Sequence, residues 1–68
     1  MSYFYVNKNT DEHNNHEVHC DDCVFLPSPH NREPLGWFTT SKEAVAAAGK
    51  KYSKVDGCWF CCPESHQC

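Results

Sequence analysis

Apolar residues fall along this chain in short clusters, and their spacing predicts a few brief strands and one helix. Tyr3-Phe4-Tyr5-Val6 is aromatic and β-branched, the composition of a strand. The polar, turn-rich run 7–15 is long enough to reverse the chain. His16-Glu17-Val18-His19-Cys20 then reads as a second strand, antiparallel to the first. Cys23-Val24-Phe25-Leu26 follows, and residues 27–34 form a loop punctuated by Pro27, Pro29 and Pro34, where regular structure is not expected. Leu35-Gly36-Trp37-Phe38 restores apolar character as a third strand.

The clearest element comes next. Thr40-Ser41-Lys42-Glu43 fits a capping box, in which the Thr40 hydroxyl accepts from the Glu43 amide and Glu43 reaches back. The alanine-rich run from Ser41 to about Tyr52 is the predicted helix, with Val45, Ala48 and Tyr52 along one apolar stripe. Gly49 weakens the helix slightly or lets another segment approach. Asp56-Gly57 reads as a turn leading into Cys58. Trp37, Phe38, Trp59 and Phe60 are expected in the core of so small a domain. Together these elements predict one α+β domain over residues 1–68, with 62–68 allowed as a flexible tail. Its expected architecture is a β-hairpin or three-stranded antiparallel sheet with one helix.

Length changes the picture, because 68 residues cannot bury a large core and such chains need a staple. Six cysteines and five histidines are the candidates. The start of the sequence shows no basic and apolar export signal, so the expected location is cytoplasmic, where thiols stay reduced. Metal ligation is therefore expected over disulfides. No stretch is apolar enough to cross a membrane. Net charge is −3, with two basic and six acidic residues in 1–40 against four basic and three acidic in 41–68. Lys42, Lys50, Lys51 and Lys54 form a modest basic cluster that reads best as a solvated helix face.

Cys20-x2-Cys23 and Cys58-x2-Cys61 are separated by 34 residues. Two such pairs are a strong metal signal, since each turn brings two sulfurs to one cation and tetrahedral zinc takes four soft or borderline ligands. Other candidates surround them. His19-x3-Cys23 competes with Cys20-x2-Cys23, and in a strand His19 and Cys20 point to opposite faces, so only one of them can ligate. Adjacent Cys61 and Cys62 pose the same choice. His13 and His16 could form a second, weaker site but on a polar loop are more often solvated, and His66 and Cys68 follow the second pair.

The stretch from His19 to Cys61 resembles the small Ada-type metal-binding module of methyl-transfer DNA repair proteins and short appended zinc domains. That pattern is ligand-x3-Cys, an aromatic strand with a capped Glu-Ala helix, then Cys-x2-Cys. Here it reads His19-x3-Cys23, Trp37-Phe38-Thr39-Thr40-Ser41-Lys42-Glu43-Ala44, and Cys58-x2-Cys61. The resemblance implies one zinc held by His19, Cys23, Cys58 and Cys61. The rival set puts Cys20 in place of His19, giving four thiolates beside Asp21 and Asp22, where added negative charge is less welcome. The sequence also resembles a group of small bacterial proteins sharing His-Glu-Val-His and Gly-Cys-aromatic-aromatic-Cys segments, a likeness that implies no activity. In the repair proteins the first ligand is a cysteine that accepts a methyl group, whereas the matching residue here is His19. The resemblance thus implies fold and metal but not that chemistry.

Three functions are compatible with this reading. The first is a structural zinc module, not an enzyme, that displays a surface to a protein partner. The second is a zinc-thiolate alkyl acceptor or redox thiol protein, with Cys62 or Cys68 as a spare thiol. The third is nucleic-acid binding through Lys42, Lys50, Lys51 and Lys54 with Tyr52 or Trp59, which the acidic balance disfavours.

Overall fold

In the computed structural model, which describes residues 1–66, strand β1 (Ser2–Asn7) lies at the centre of the fold. Its alternation is clean: Phe4 and Val6 are buried on one face, while Tyr3 and Tyr5 stand half-buried on the other. Antiparallel β2 (His16–Cys20) pairs Val18 with Val6, His19 with Tyr5 and Cys20 with Phe4. The loop between them is shaped by Asp11, whose carboxylate accepts the backbone N–H groups of His13 and Asn15 at 2.8 and 3.0 Å. Asn14 occupies the left-handed region at φ 65° to complete the reversal.

On the other side of β1 runs antiparallel β3 (Arg32–Phe38), which begins earlier than the proline-rich sequence suggests. Pro34 is tolerated because β3 is an edge strand and because the register shifts there: Phe4 faces Gly36 and Tyr5 faces Pro34, leaving Leu35 as the extra residue of a bulge. Gly36, at φ 117°, takes a backbone conformation that other residues rarely reach.

The expected three-stranded antiparallel sheet, or simple hairpin, is corrected by a fourth strand. Val55–Gly57 forms β4 and pairs in parallel with β2, giving a mixed sheet of order β3-β1-β2-β4. Asp56 and Gly57 therefore lie in a strand, not a turn. The helix α1 (Ser41–Ala48) carries the expected capping box, with both reciprocal hydrogen bonds between Thr40 and Glu43. It is shorter than predicted: regular α-helix ends at Ala48, and turns carry the chain on to Tyr52.

The helix covers one face of the sheet. Ala44 and Ala48 meet Phe4, Val6, Val18 and Cys62 in a small core, with Leu35, Phe38, Val45 and Tyr52 packed around it. Alanines suit this position because helix and sheet can approach closely. Trp37, Trp59 and Phe60 are not core residues, contrary to expectation; all three are exposed, and of that group only Phe38 packs inward. Beyond Cys62 the chain makes a short 3₁₀ turn (Pro63–Ser65) against α1 and β4. The Ser41 hydroxyl donates to Glu64 at 2.6 Å and lies 2.7 Å from the Ser65 hydroxyl, tying this turn to the start of the helix. No helix among the described residues is long and apolar enough to cross a membrane.

Candidate metal centre

His19 reaches the site from the sheet face opposite α1. It stands beside Tyr5 on that face, one residue before Cys20, which turns to the helix side and packs against the core. His19 is the largest fully buried side chain among the described residues. After β2 the chain turns sharply: the Cys23 N–H donates to the Cys20 carbonyl at 3.2 Å, and the Leu26 N–H to that of Cys23 at 3.1 Å. This turn brings Cys23 back over His19. Cys58 follows β4 directly, fixed by its N–H to the Val18 carbonyl at 3.0 Å. A second turn, closed by the Cys62 N–H on the Cys58 carbonyl at 2.8 Å, carries Cys61 round.

The four side chains converge. One potential ligand atom from each of His19, Cys23, Cys58 and Cys61 lies within 4.8 Å of all the others. Cys23 Sγ is 3.6 Å from His19 Nδ1 and 3.9 Å from Cys58 Sγ. Tetrahedral zinc with ligand bonds near 2.0–2.3 Å has neighbouring ligand atoms about 3.5–3.8 Å apart, so the two spacings fit a single cation. The donor set is compatible with one metal ion.

The polar surroundings support that arrangement. The backbone N–H of Phe25 donates to Cys23 Sγ, and that of Cys20 to Cys61 Sγ, both at 3.4 Å. The amides of Phe60 and Cys61 are directed at Cys58. Hydrogen bonds from backbone amides favour the thiolate form that a metal requires. Burial acts against it. It pushes the Cys58 thiol up to about 12 and raises that of Cys23, while the neighbouring Cys62 thiol, ahead of burial, raises Cys61. A bound dication supplies the opposing charge that would hold these sulfurs deprotonated. Burial lowers the pKa of His19, which keeps its ring neutral and able to donate a lone pair.

His19 presents Nδ1 to the sulfurs, and its other nitrogen, Nε2, lies 3.5 Å from Glu17 Oε1. A carboxylate behind a ligating imidazole fixes both its tautomer and its orientation. Sequence reading passed over Glu17, although its position two residues before His19 puts it on the same face of β2.

The remaining candidates fall outside this group of four, although Cys20 and Cys62 both neighbour Cys61. Cys62 is buried in the core with its Sγ 3.5 Å from the Val18 carbonyl and 3.6 Å from Cys61 Sγ. Cys20 directs its thiol at Asp22, 3.0 Å away, and burial first, then this contact, pushes it up to about 12. His13 is exposed, and His16 stacks on Tyr52 at 3.9 Å with Nδ1 2.9 Å from the Asn7 carbonyl. His66 lies against the Gly57 carbonyl and Asp56. Cys68 is outside the described residues. The sequence matches no protein-family model, and no curated protein or solved structure is significantly similar to it.

Proposed function

We propose that this protein is a small zinc-binding domain in which the metal holds the fold together and the surface engages a protein partner. The convergence of His19, Cys23, Cys58 and Cys61 carries this reading. Three thiolates and one imidazole are a usual structural set for zinc, and four protein ligands leave no open position for water or substrate. His19 and Cys23 belong to the end of β2 and Cys58 and Cys61 follow β4, so one ion would clamp the ends of this parallel pair, two segments separated by 34 residues. Zinc binding to small sites is worth roughly 10–16 kcal/mol, a large contribution for a chain whose core rests on Phe4, Val6, Val18, Ala44, Ala48 and Cys62. The proposed likeness to the Ada-type module rests on ligand order and spacing and on the capped helix between the half-sites.

The other readings have less support. Of the four ligands only Cys61 is partly exposed, and its sulfur accepts the Cys20 N–H and abuts Cys62, which blunts an alkyl-accepting role. For nucleic acid, the basic cluster is already engaged in part. Lys51 pairs with Glu33 at 2.7 Å, and the Tyr52 hydroxyl donates to the same carboxylate at 2.8 Å.

Chelation under reducing conditions tests the structural role. Removing the metal should collapse the dispersed amide spectrum, and returning one equivalent of Zn²⁺ should restore it. A chain that keeps its full dispersion without metal would make the ion dispensable to the fold.

A further inference from the structure

The two loops that present the cysteines also present aromatic rings to solvent. Val24 and Phe25 follow Cys23, and Trp59 and Phe60 lie between Cys58 and Cys61. Their exposures are 75, 52, 58 and 52 % respectively. The three rings touch one another: Phe25 is 5.8 Å from Trp59 and 5.5 Å from Phe60, and Trp59 is 5.8 Å from Phe60, the last two pairs edge to face. Three large rings packed together yet half-exposed, on loops fixed by backbone hydrogen bonds, form a preorganised apolar patch. A solitary exposed ring is ordinary, whereas a contiguous cluster marks an interaction site.

The charge beside the patch selects its occupant. Asp21 and Asp22, both exposed, immediately precede Cys23 and Val24, Asp22 keeping its charge while one oxygen accepts the Cys20 thiol, and the whole chain carries net charge −3. Arg32, which reaches the same loop, is occupied, donating to the Pro27 carbonyl at 2.9 Å and stacking over Tyr5 at 4.6 Å. A second copy would bring two acidic edges together in a symmetric contact, and nucleic acid or an anionic bilayer would meet repulsion from the same carboxylates.

We propose that the Val24–Phe25 and Trp59–Phe60 loops form a docking surface for a peptide segment of a partner protein that combines apolar side chains with lysine or arginine. The aromatic rings would bury the apolar side chains, and Asp21 and Asp22 would pair with the basic ones. This deepens the proposed function, since the loops that carry the patch are the ligand loops.

A random-peptide display selection on the full-length, zinc-loaded protein tests the surface, with metal content measured beforehand on every protein used. Expected are enriched peptides that pair aromatic or aliphatic residues with an excess of Lys and Arg. Their binding should fall at least about tenfold in Phe25→Ser and Trp59→Ser, but not in Trp37→Ser, an exposed ring on β3. Asp21→Asn should weaken the same peptides several-fold and flatten their salt dependence. Acidic or charge-neutral consensus peptides, binding indifferent to Phe25 and Trp59, or no enrichment at all would overturn the proposal. So would sedimentation showing a dimer that Phe25→Ser and Trp59→Ser dissociate, or selective partitioning onto phosphatidylcholine vesicles that outcompetes the peptides. Failure of the metal reading would appear separately, in the elemental analysis.

Discussion

His19 and Cys20 are neighbours in β2 that serve opposite faces of the sheet: the imidazole turns to the sulfurs of the candidate metal centre, and the thiol turns to the helix side. The pleat allows only one of them into the site. His19→Ala should therefore abolish metal retention at neutral pH, whereas Cys20→Ser should stay loaded and folded, losing no more than about 1 kcal/mol. Metal analysis of the two purified variants decides between them, and the reverse pattern would point to four cysteines.

Proton release gives an independent count. Burial and sulfur neighbours raise the thiols of Cys23, Cys58 and Cys61, so all three carry protons at about pH 7.5 without metal. His19, its pKa lowered by burial, carries none there. Binding should displace about three protons per ion at that pH, and affinity should fall as pH falls, more steeply once His19 also protonates. Calorimetry in buffers of differing ionisation enthalpy reads the number directly. About four would indicate a fourth thiolate.

Glu17 stands behind His19 at 3.5 Å and is the group that would hold Nε2–H while Nδ1 ligates. Glu17→Gln should weaken metal affinity about 10–100-fold without unfolding the loaded protein. Competition with a chromophoric chelator measures the loss. Ring-nitrogen NMR should show Nδ1 as the bound atom, and binding through Nε2 would remove the role assigned to Glu17.

Gly57 is required by proximity. A Cβ there would lie 2.7 Å from Ser65 Cβ and 3.0 Å from the Cys62 carbonyl oxygen. Gly57→Ala must push the Pro63–Ser65 turn away from β4, at a cost of about 1–3 kcal/mol. Denaturant unfolding of the loaded protein should show this as a lower midpoint. An unchanged midpoint would mean that the turn moves freely.

Local chemistry and the first antiparallel strand pair were legible in the sequence, whereas the fourth strand and the start of the third were not. The capping box at Thr40 and Glu43 needs only four consecutive residues, and it formed as read. The two Cys-x2-Cys pairs pointed to a metal set but left His19 against Cys20 and Cys61 against Cys62 open. It was the resemblance to the Ada-type module that implied the four side chains that converge. Val55–Gly57 escaped notice because three residues ending in Asp-Gly look like a turn, and only their distant partner β2 makes them a strand. Pro34 masked the start of β3 because proline reads as a breaker unless the strand is known to lie at an edge. Trp59 and Phe60 were expected inside because so small a domain has few other large apolar residues to build a core. Between two cysteines that turn inward, the intervening rings are directed to solvent.

One measurement tests the central claim most directly: the metal content of protein purified under reducing conditions without added metal, read by elemental analysis with native mass spectrometry. The proposed metal site predicts one zinc per chain, with every cysteine free of disulfides. Metal-free protein that is folded and carries oxidised, paired cysteines would contradict the account and replace the metal staple with disulfides.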